Sequence, residues 1–237
     1  MRHGSNAAHD HRLEPGMLEQ RALIARAEAA GATQTGWKAG FGAPAARRRF
    51  ALEAPLVGAL LDSTRLDPGT VAPVGSWRDA RAEAEIAVLL GEDLDGDVTP
   101  TFALRSVVAL APAIELVDVD PAPESPSEAL SGNVFHRYWA TGDFVELPPD
   151  RTLSDLVAHI SSMGTHLEAV HDVEELTGSA ADTLAEVARI GARQGRGVLR
   201  GDVVILGSIA APSPIRAGGD FRFTLSGHRT IALSFTD

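Results

Sequence analysis

The stretch Arg81-Ala82-Glu83-Ala84-Glu85-Ile86-Ala87-Val88-Leu89-Leu90 alternates charged and small residues and then becomes continuously apolar. Alternation followed by an apolar run is typical of a β-strand that enters a hydrophobic core. On such a strand Arg81, Glu83 and Glu85 share one face, with successive members about 6.6 Å apart. The stretch therefore predicts a buried strand that carries like charges side by side.

The segments around this strand predict more strands than helices. Helices are expected at residues 14–30 and 179–193, each bounded by start and stop signals. A third is expected to begin with Thr99 and Pro100 and to run through Val108, ending before Pro112. Strands, loops and a hairpin are expected at residues 36–75 (short strands and loops), 114–119 (strand), 120–127 (loop), 153–170 (hairpin), 202–209, 220–225 and 230–235 (strands).

No βαβ rhythm connects these segments, so a β-rich α+β fold is expected. Residues 1–12 are expected to form a loose polar leader, and residues 13–237 a single catalytic domain. Within that domain, residues 13–35 form a helical part and residues 36–237 a β-rich core.

Composition excludes several classes of function. The chain has no cysteine, which excludes disulfides, zinc–thiolate sites and thiol nucleophiles. A net charge of −11 disfavours nucleic-acid binding, and no apolar run suggests a membrane partner. The one dense basic segment, Arg47-Arg48-Arg49, fits a solvated helix face, although it could attract an anionic substrate. A cytoplasmic location is the simplest expectation.

Lysine occurs only once in the chain, in Gly36-Trp37-Lys38-Ala39-Gly40. An ammonium is a compact point charge whose pKa shifts on burial, whereas a guanidinium stays charged and forked. In a chain that otherwise uses arginine, this makes Lys38 a candidate chemical group, although an incidental surface lysine is the alternative.

A third carboxylate interrupts a second apolar run, Pro112-Ala113-Ile114-Glu115-Leu116-Val117. Buried unpaired, Glu83, Glu85 and Glu115 would each cost several kcal/mol, roughly the penalty for an isolated buried ion. Arg81 could compensate part of this charge, and a divalent cation more. Three carboxylates make a hard oxygen site suited to Mg²⁺ or Mn²⁺. Spacing alone also fits a solvated strand face.

These motifs, followed by Gly201-Asp202-Val203-Val204-Ile205-Leu206-Gly207-Ser208, occur in an order that resembles the 2-keto-4-pentenoate hydratase and 4-oxalocrotonate decarboxylase group. This group belongs to the fumarylacetoacetate hydrolase superfamily. The resemblance covers residues 14 to 236. It implies a mixed β-sandwich or roll with peripheral helices, a magnesium or manganese ion held by Glu83, Glu85 and Glu115, an active-site Lys38, and a homo-oligomer.

The resemblance also implies the chemistry: hydration or decarboxylation of a small 2-oxo (2-hydroxy-dienoic) acid through a metal-stabilised enolate. A carbon–carbon hydrolase of acylpyruvates, an oxaloacetate-type decarboxylase and a non-catalytic scaffold remain alternatives. Candidate substrate contacts are Arg81, His136 and Ser208, although His136 could instead be a hydrogen-bonded structural residue. The chain departs from the group at Leu56 and Ser179, where hydratases often have Asp and His, and this puts the standard hydratase substrate in doubt.

Overall fold

A computed structural model describes residues 10–146, 152–166 and 169–237 of the chain. The expected leader therefore lies mostly outside the described residues, as do two residues of the expected hairpin. The five α-helices of the described segments are α1 (Glu14–Ala29), α2 (Pro44–Phe50), α3 (Pro100–Arg105), α4 (Pro126–Ser131) and α5 (Ala180–Arg193).

The described strands form two sheets. Their bounds are β1 (Gln34–Gly40), β2 (Leu56–Leu61), β3 (Val71–Pro73), β4 (Ala80–Leu90), β5 (Val107–Asp118), β6 (His136–Thr141), β7 (Ala158–Ser162), β8 (Thr165–His166), β9 (Val203–Ser208), β10 (Ser213–Pro214), β11 (Asp220–Leu225) and β12 (Ile231–Thr236). The larger sheet has the order β2-β1-β9-β4-β5-β6, with β10 paired to β4. The smaller sheet has the order β3-β12-β11-β7-β8.

The larger sheet uses its two faces differently. Even-numbered positions of β4 and β5, such as Ile86 and Leu116, pack into a core that also takes Phe223 and Leu233 from the smaller sheet. Odd-numbered positions point to the other face, where Ala87, Ala113 and their neighbours form a smaller apolar cluster. Because side chains alternate along a strand, Glu83, Glu85 and Glu115 all lie on this second face.

The expected β-rich α+β class is confirmed, and so are several elements. β4 spans Ala80–Leu90 as expected, and α1 and α5 lie within a residue of their expected limits. The late strands and the hairpin turn at Met163-Gly164 are also present. Among the described residues, no helix is both long and apolar enough to cross a bilayer.

The expected helix from Thr99 through Val108 is wrong in its second half. α3 does begin at Pro100, with the Thr99 hydroxyl accepting from the Phe102 N–H, but it ends at Arg105. Val107 instead opens the long strand β5, which contains Pro112. A buried apolar run fits either a helix or a strand. Pro112 suggested a helix stop because the residue before a proline disfavours helical backbone, and the rarity of proline inside sheets argued against a strand.

Among the other elements, α4 and β6 were not expected, and α2 was indicated only by the solvated helix face suggested for Arg47-Arg48-Arg49. α2 and α4 fall in segments whose prolines suggested loops, yet each proline occupies an early helical position, where it is well tolerated. β6 lies in a segment where no strand was predicted. It completes the edge of the larger sheet beside Glu115.

Candidate metal centre

Strand register brings the three predicted carboxylates together. In the antiparallel pair of β4 and β5, Glu83 lies directly opposite Glu115, and in the pair of β4 and β9, Glu85 lies opposite Ser208. One carboxylate oxygen from each of Glu83, Glu85 and Glu115 lies within 4.8 Å of the others. Glu85 and Glu115 are each only 1% exposed, whereas Glu83 is half-buried.

One carboxylate oxygen of Glu115 has hydrogen-bond partners, and the other has none among the described residues. Its Oε1 accepts from the Lys38 ammonium and lies 2.7 Å from His136 Nδ1. Its Oε2 is buried and has no hydrogen-bond partner among the described residues. A buried carboxylate oxygen without a partner is costly, so this atom is a candidate ligand for a cation.

His136 links Glu115 to β2. Its Nε2 lies 3.0 Å from the Thr64 hydroxyl, which also lies 3.0 Å from the Leu61 carbonyl. Burial lowers the pKa of His136, which favours a neutral ring. A neutral ring with the proton on Nδ1 can donate to Glu115. The Thr64 hydroxyl has a single proton, so it donates either to the Leu61 carbonyl or to His136 Nε2. The chain thus holds Glu115 from behind and leaves Oε2 facing its neighbours.

Glu85 is held by the backbone of β9. The Gly207 N–H donates to Glu85 Oε2 at 3.0 Å, and the register of β4 against β9 shifts next to this point. Gly207 has a φ of 109°, a value that glycine tolerates and L side chains rarely adopt. The Gly207-Ser208 step therefore bends the strand so that an N–H donor points at a carboxylate.

The carboxylates titrate differently because their neighbours differ. Burial and the Glu115 charge raise the pKa of Glu83 to about 7. The same two causes, with the Glu83 charge, raise the pKa of Glu85 well above its ordinary value. Burial also opposes ionisation of Glu115, but Lys38 and His136 outweigh it and lower its pKa. Without a cation the cluster is therefore short of positive charge.

Lys38 lies at the centre of β1 and is 1% exposed. Besides Glu115, its ammonium donates to the Val134 carbonyl at 3.1 Å. An ammonium has three donors, so one N–H has no acceptor among the described residues. Opposite Lys38 on β2 is Gly58, where a Cβ atom would lie 2.9 Å from Lys38 Cγ. Glycine at this position leaves room for the lysine stem.

The Val134 carbonyl is presented by a strained segment. Asn133, Val134 and Phe135 have φ values of 54°, 56° and 62°, in the left-handed region that is unusual for a β-branched valine. The buried Asn133 amide holds the segment: it donates to the Ala59 carbonyl at 2.9 Å and accepts from the Ala59 N–H at 2.8 Å. Such strain persists only where the surroundings impose it, and it is concentrated at functional sites.

The cluster opens into a cavity of about 490 Å³. Lys38, Glu83 and Glu85 line it, as do the candidate substrate contacts Arg81 and Ser208. Arg81 does not neutralise the carboxylates directly, because its guanidinium forms two hydrogen bonds to Asp79 at 3.0 and 3.1 Å. The Ser208 hydroxyl donates to the Ala210 carbonyl at 2.7 Å.

The remaining sequence candidates lie away from this cavity. His136 sits behind Glu115 and is not among the residues that line it. Leu56 is buried against a separate cavity of about 340 Å³. Ser179 caps α5, where its hydroxyl accepts from the Asp182 N–H. The two departures from the group's motifs therefore do not line the cavity beside the carboxylates.

The residues present fit a divalent cation. Three carboxylate oxygens from two strands form a hard, anionic donor set, and the unpartnered Oε2 of Glu115 is one of the available atoms. The half-buried position of Glu83 leaves an open side toward the cavity for water or a substrate.

Sequence reasoning missed the residues that position this cluster. Asn133, Gly58, Thr64 and the Val134 carbonyl act only after folding places β2, β5 and the strained segment together. The one available signal was Asn133 itself, a polar residue next to Val134-Phe135, because asparagine tolerates left-handed backbone.

Comparisons with known proteins find relatives by sequence and by fold. No protein-family model matches the chain. A curated relative, 4-oxalocrotonate decarboxylase from Pseudomonas sp, is 28% identical over 92% of this chain and 84% of its own length. The TodF product hydratase of Pseudomonas putida is 26% identical over 94% of this chain and 84% of its own length.

Solved structures share the fold. A 4-oxalocrotonate decarboxylase from Pseudomonas putida G7, complexed with magnesium and adipate, superposes with a TM-score of 0.84 at 22% identity, covering 91% of this chain and 83% of that one. Fumarylpyruvate hydrolase from Pseudomonas aeruginosa, in complex with Mn²⁺ and pyruvate, superposes with a TM-score of 0.68 at 15% identity, covering 84% of this chain and 88% of that one.

The chain therefore has the fold of the fumarylacetoacetate hydrolase superfamily. In sequence, the chain is similar to 4-oxalocrotonate decarboxylase and to 2-keto-4-pentenoate hydratase, the resemblance that its motifs indicated.

Proposed function

We propose that this protein is a divalent-metal-dependent lyase, a hydratase or decarboxylase of a small 2-oxo (2-hydroxy-dienoic) acid. The observation that carries the proposal is the convergence of Glu83, Glu85 and Glu115 within 4.8 Å beside a buried Lys38. The curated relatives, a decarboxylase and several hydratases, support the same reaction class.

In this proposal Glu83, Glu85 and Glu115 hold Mg²⁺ or Mn²⁺. The bound cation would supply Lewis-acid stabilisation of negative charge on the oxygens of a 2-oxo acid. The roles of the three glutamates differ, because Glu115 is fixed by Lys38 and His136 and Glu85 by Gly207, whereas Glu83 faces the cavity.

Lys38 is the proposed catalytic residue of the chain itself. Its two protein acceptors fix the ammonium at the floor of the cavity, and its third N–H can donate to a substrate oxygen that gains charge as the enolate forms. Because Lys38 is buried, this donor works in a medium poor in water, where its electrostatic effect is larger than in bulk solvent.

We further propose that residues 13–237 act as one catalytic domain and that the protein works as a cytoplasmic homo-oligomer. The core that joins both sheets supports the first point, since it takes side chains from most of the chain. Sedimentation analysis of the full chain tests the second.

The proposal is tested by metal binding and by carbon acidity. Calorimetric titration with Mn²⁺ should give a site in the native chain that Glu83→Gln and Glu115→Gln weaken by about tenfold or more, the loss expected for an anionic ligand. The exposed Glu19→Gln is the matched control. Native protein with Mn²⁺ should also exchange the C3 protons of 2-oxobutanoate in D₂O, followed by NMR.

Unchanged Mn²⁺ affinity in both Glu83→Gln and Glu115→Gln would contradict the proposed metal centre. Tight Mn²⁺ binding without C3 exchange would instead favour a non-catalytic scaffold.

A further inference from the structure

The cavity beside the carboxylates changes character with distance from them. On β5, Glu115 is followed on the same face by Val117 and, just after the strand, Val119, both of which line the cavity. Same-face positions are spaced by about 6.6 Å. The wall thus passes from a charged floor to an apolar surface along one strand.

The opposite walls are apolar as well. They are built mainly by aromatic, aliphatic and small side chains from the end of β1, from α2 and from the segments before β6, before α5 and after β9. The larger ones are Phe41, Phe135, Val134, Leu176 and Pro212. The rings of Phe41 and Phe135 lie 6.3 Å apart, and Phe41 also packs edge-on against Phe50 at 5.7 Å.

The backbone is strained where it places these rings. Phe41 and Phe135 have φ values of 58° and 62°, both in the left-handed region, and each lines the cavity. Non-glycine residues are uncommon there and persist when the surrounding structure imposes them. The rings are therefore fixed parts of the wall and do not simply cover the core.

Positive charge is scarce away from the floor. Among the described residues that line the cavity, the cations are Lys38 and Arg81. Lys38 is committed to the carboxylate floor, and Arg81 forms its two hydrogen bonds with Asp79, which also lines the cavity. The nearby Arg49 donates to the Pro123 carbonyl and stacks on Phe50, and it does not line the cavity.

We propose that the substrate is a 2-oxo acid with a single carboxylate and an uncharged, apolar tail that lies against Phe41, Phe135 and Leu176. This rests on the proposed function, which assigns the 2-oxo carboxylate end to the carboxylate floor. A second carboxylate at the far end would lose water without gaining a cation, which is a large penalty. Apolar contacts with the rings would instead stabilise a hydrocarbon tail.

Matched ligands test the proposal on the full chain loaded with Mn²⁺. Oxalate probes the chelating end alone, and 2-oxohexanoate and 2-oxohexanedioate have equal carbon number but differ in the second carboxylate. In competition calorimetry, 2-oxohexanoate should bind roughly tenfold or more tightly than 2-oxohexanedioate, since only the latter must desolvate a tail carboxylate. If oxalate binds in its own titration but 2-oxohexanedioate binds as tightly as 2-oxohexanoate or more tightly, the proposal is overturned.

A wall variant makes the test specific to the cavity. Leu176→Arg adds a cation to the apolar wall and should tighten 2-oxohexanedioate by about tenfold while leaving oxalate unchanged. Leu18→Arg, on the exposed surface of α1, is the control and should change neither. If neither variant alters the ratio of monoacid to diacid, the wall does not select the tail. If oxalate does not bind, the result contradicts the proposed function on which this substrate proposal rests.

Discussion

At the scale of single residues, Lys38 and Gly58 form a matched pair. The ammonium reaches Glu115 and the Val134 carbonyl because no Cβ at position 58 blocks its stem. The sequence already marked Lys38, as the chain's only lysine, but gave no reason to connect it to Gly58, since that contact depends on the pairing of β1 with β2.

Lys38→Arg should abolish most activity while leaving Mn²⁺ binding within a few-fold of native. A guanidinium is wider and flatter than an ammonium and does not fit the pocket beside Gly58 and Glu115. C3 exchange should fall by about two orders of magnitude or more, the usual scale for losing a positioned proton donor. Arg193→Lys, on the end of α5, is the reciprocal control and should remain active.

Gly58→Ala should destabilise the fold and displace Lys38. The new methyl group would sit 2.9 Å from Lys38 Cγ and 3.1 Å from the side-chain oxygen Oδ1 of Asn133. Overpacking of this kind costs about 1–3 kcal/mol, which urea unfolding would measure. Gly132→Ala is the matched control, because open space surrounds Gly132. Gly96→Ala does not serve, because Gly96 has a φ of 64° that alanine rarely adopts. Equal stability of the Gly58 and Gly132 variants would contradict the close contact.

At the scale of elements, the segment between α4 and β6 couples folding to the site. Asn133 joins it to β2 through paired hydrogen bonds, and Gln20 of α1 donates to the same asparagine oxygen at 3.0 Å. The segment in turn carries the carbonyl that holds Lys38 and a ring that lines the cavity.

Asn133→Ala should loosen this segment and reduce both stability and activity. It leaves the buried N–H and C=O of Ala59 without their side-chain partner, at a cost of about 1–3 kcal/mol for each unsatisfied group. It also removes one acceptor of the Gln20 amide, which keeps the Val57 carbonyl. Urea unfolding and C3 exchange measured together check the result. Ser131→Ala, which removes an exposed hydroxyl in α4, should change neither. A fully active Asn133 variant would show that the segment does not position Lys38.

Among the elements, local sequence patterns predicted single strands but not how the strands pair. Alternation in residues 80–90 predicted β4 and the shared face of Glu83 and Glu85, because that information is local. The strand register decides which residue of β5 lies opposite Glu83. That register depends on how the segment between β4 and β5, which contains α3, folds, and local sequence does not specify it. The helix expected beyond Arg105 failed for a related reason, since burial in a sheet overrode an ambiguous apolar pattern.

At the scale of the whole molecule, the carboxylate cluster makes stability depend on pH. Raised pKa values mean that the folded state binds protons at Glu83 and Glu85 which the unfolded chain has already released. Such groups stabilise the fold below their unfolded pKa, and this contribution is lost as pH rises through the folded pKa. Glu115 and the buried His136 have lowered pKa values, so their contributions have the opposite sign: they are present above the unfolded pKa and are lost as pH falls through the folded pKa.

With EDTA present, the unfolding free energy should therefore fall as pH rises from about 4.5 to 7, by roughly 1–3 kcal/mol, since the two raised carboxyl pKa values outweigh the opposite effect of His136 and each pKa unit is worth ~1.4 kcal/mol. Saturating Mg²⁺ should remove most of this slope, because a bound cation replaces the protons. Urea titrations at each pH measure it, and Glu83→Gln should flatten the EDTA curve. A slope that is the same with and without Mg²⁺ would argue against cation binding at this cluster.

The two-faced larger sheet has a consequence for how this scaffold can diversify. Even-numbered positions of β4 and β5 hold the layers of the molecule together, whereas the odd-numbered positions Arg81, Glu83, Glu85 and Val117 line the cavity. Exchanging Val117 for a different side chain can thus retune substrate preference while its neighbour Leu116 still secures the architecture. Natural variants and laboratory libraries can explore new reactions along alternate residues of one strand without having to rebuild the protein each time.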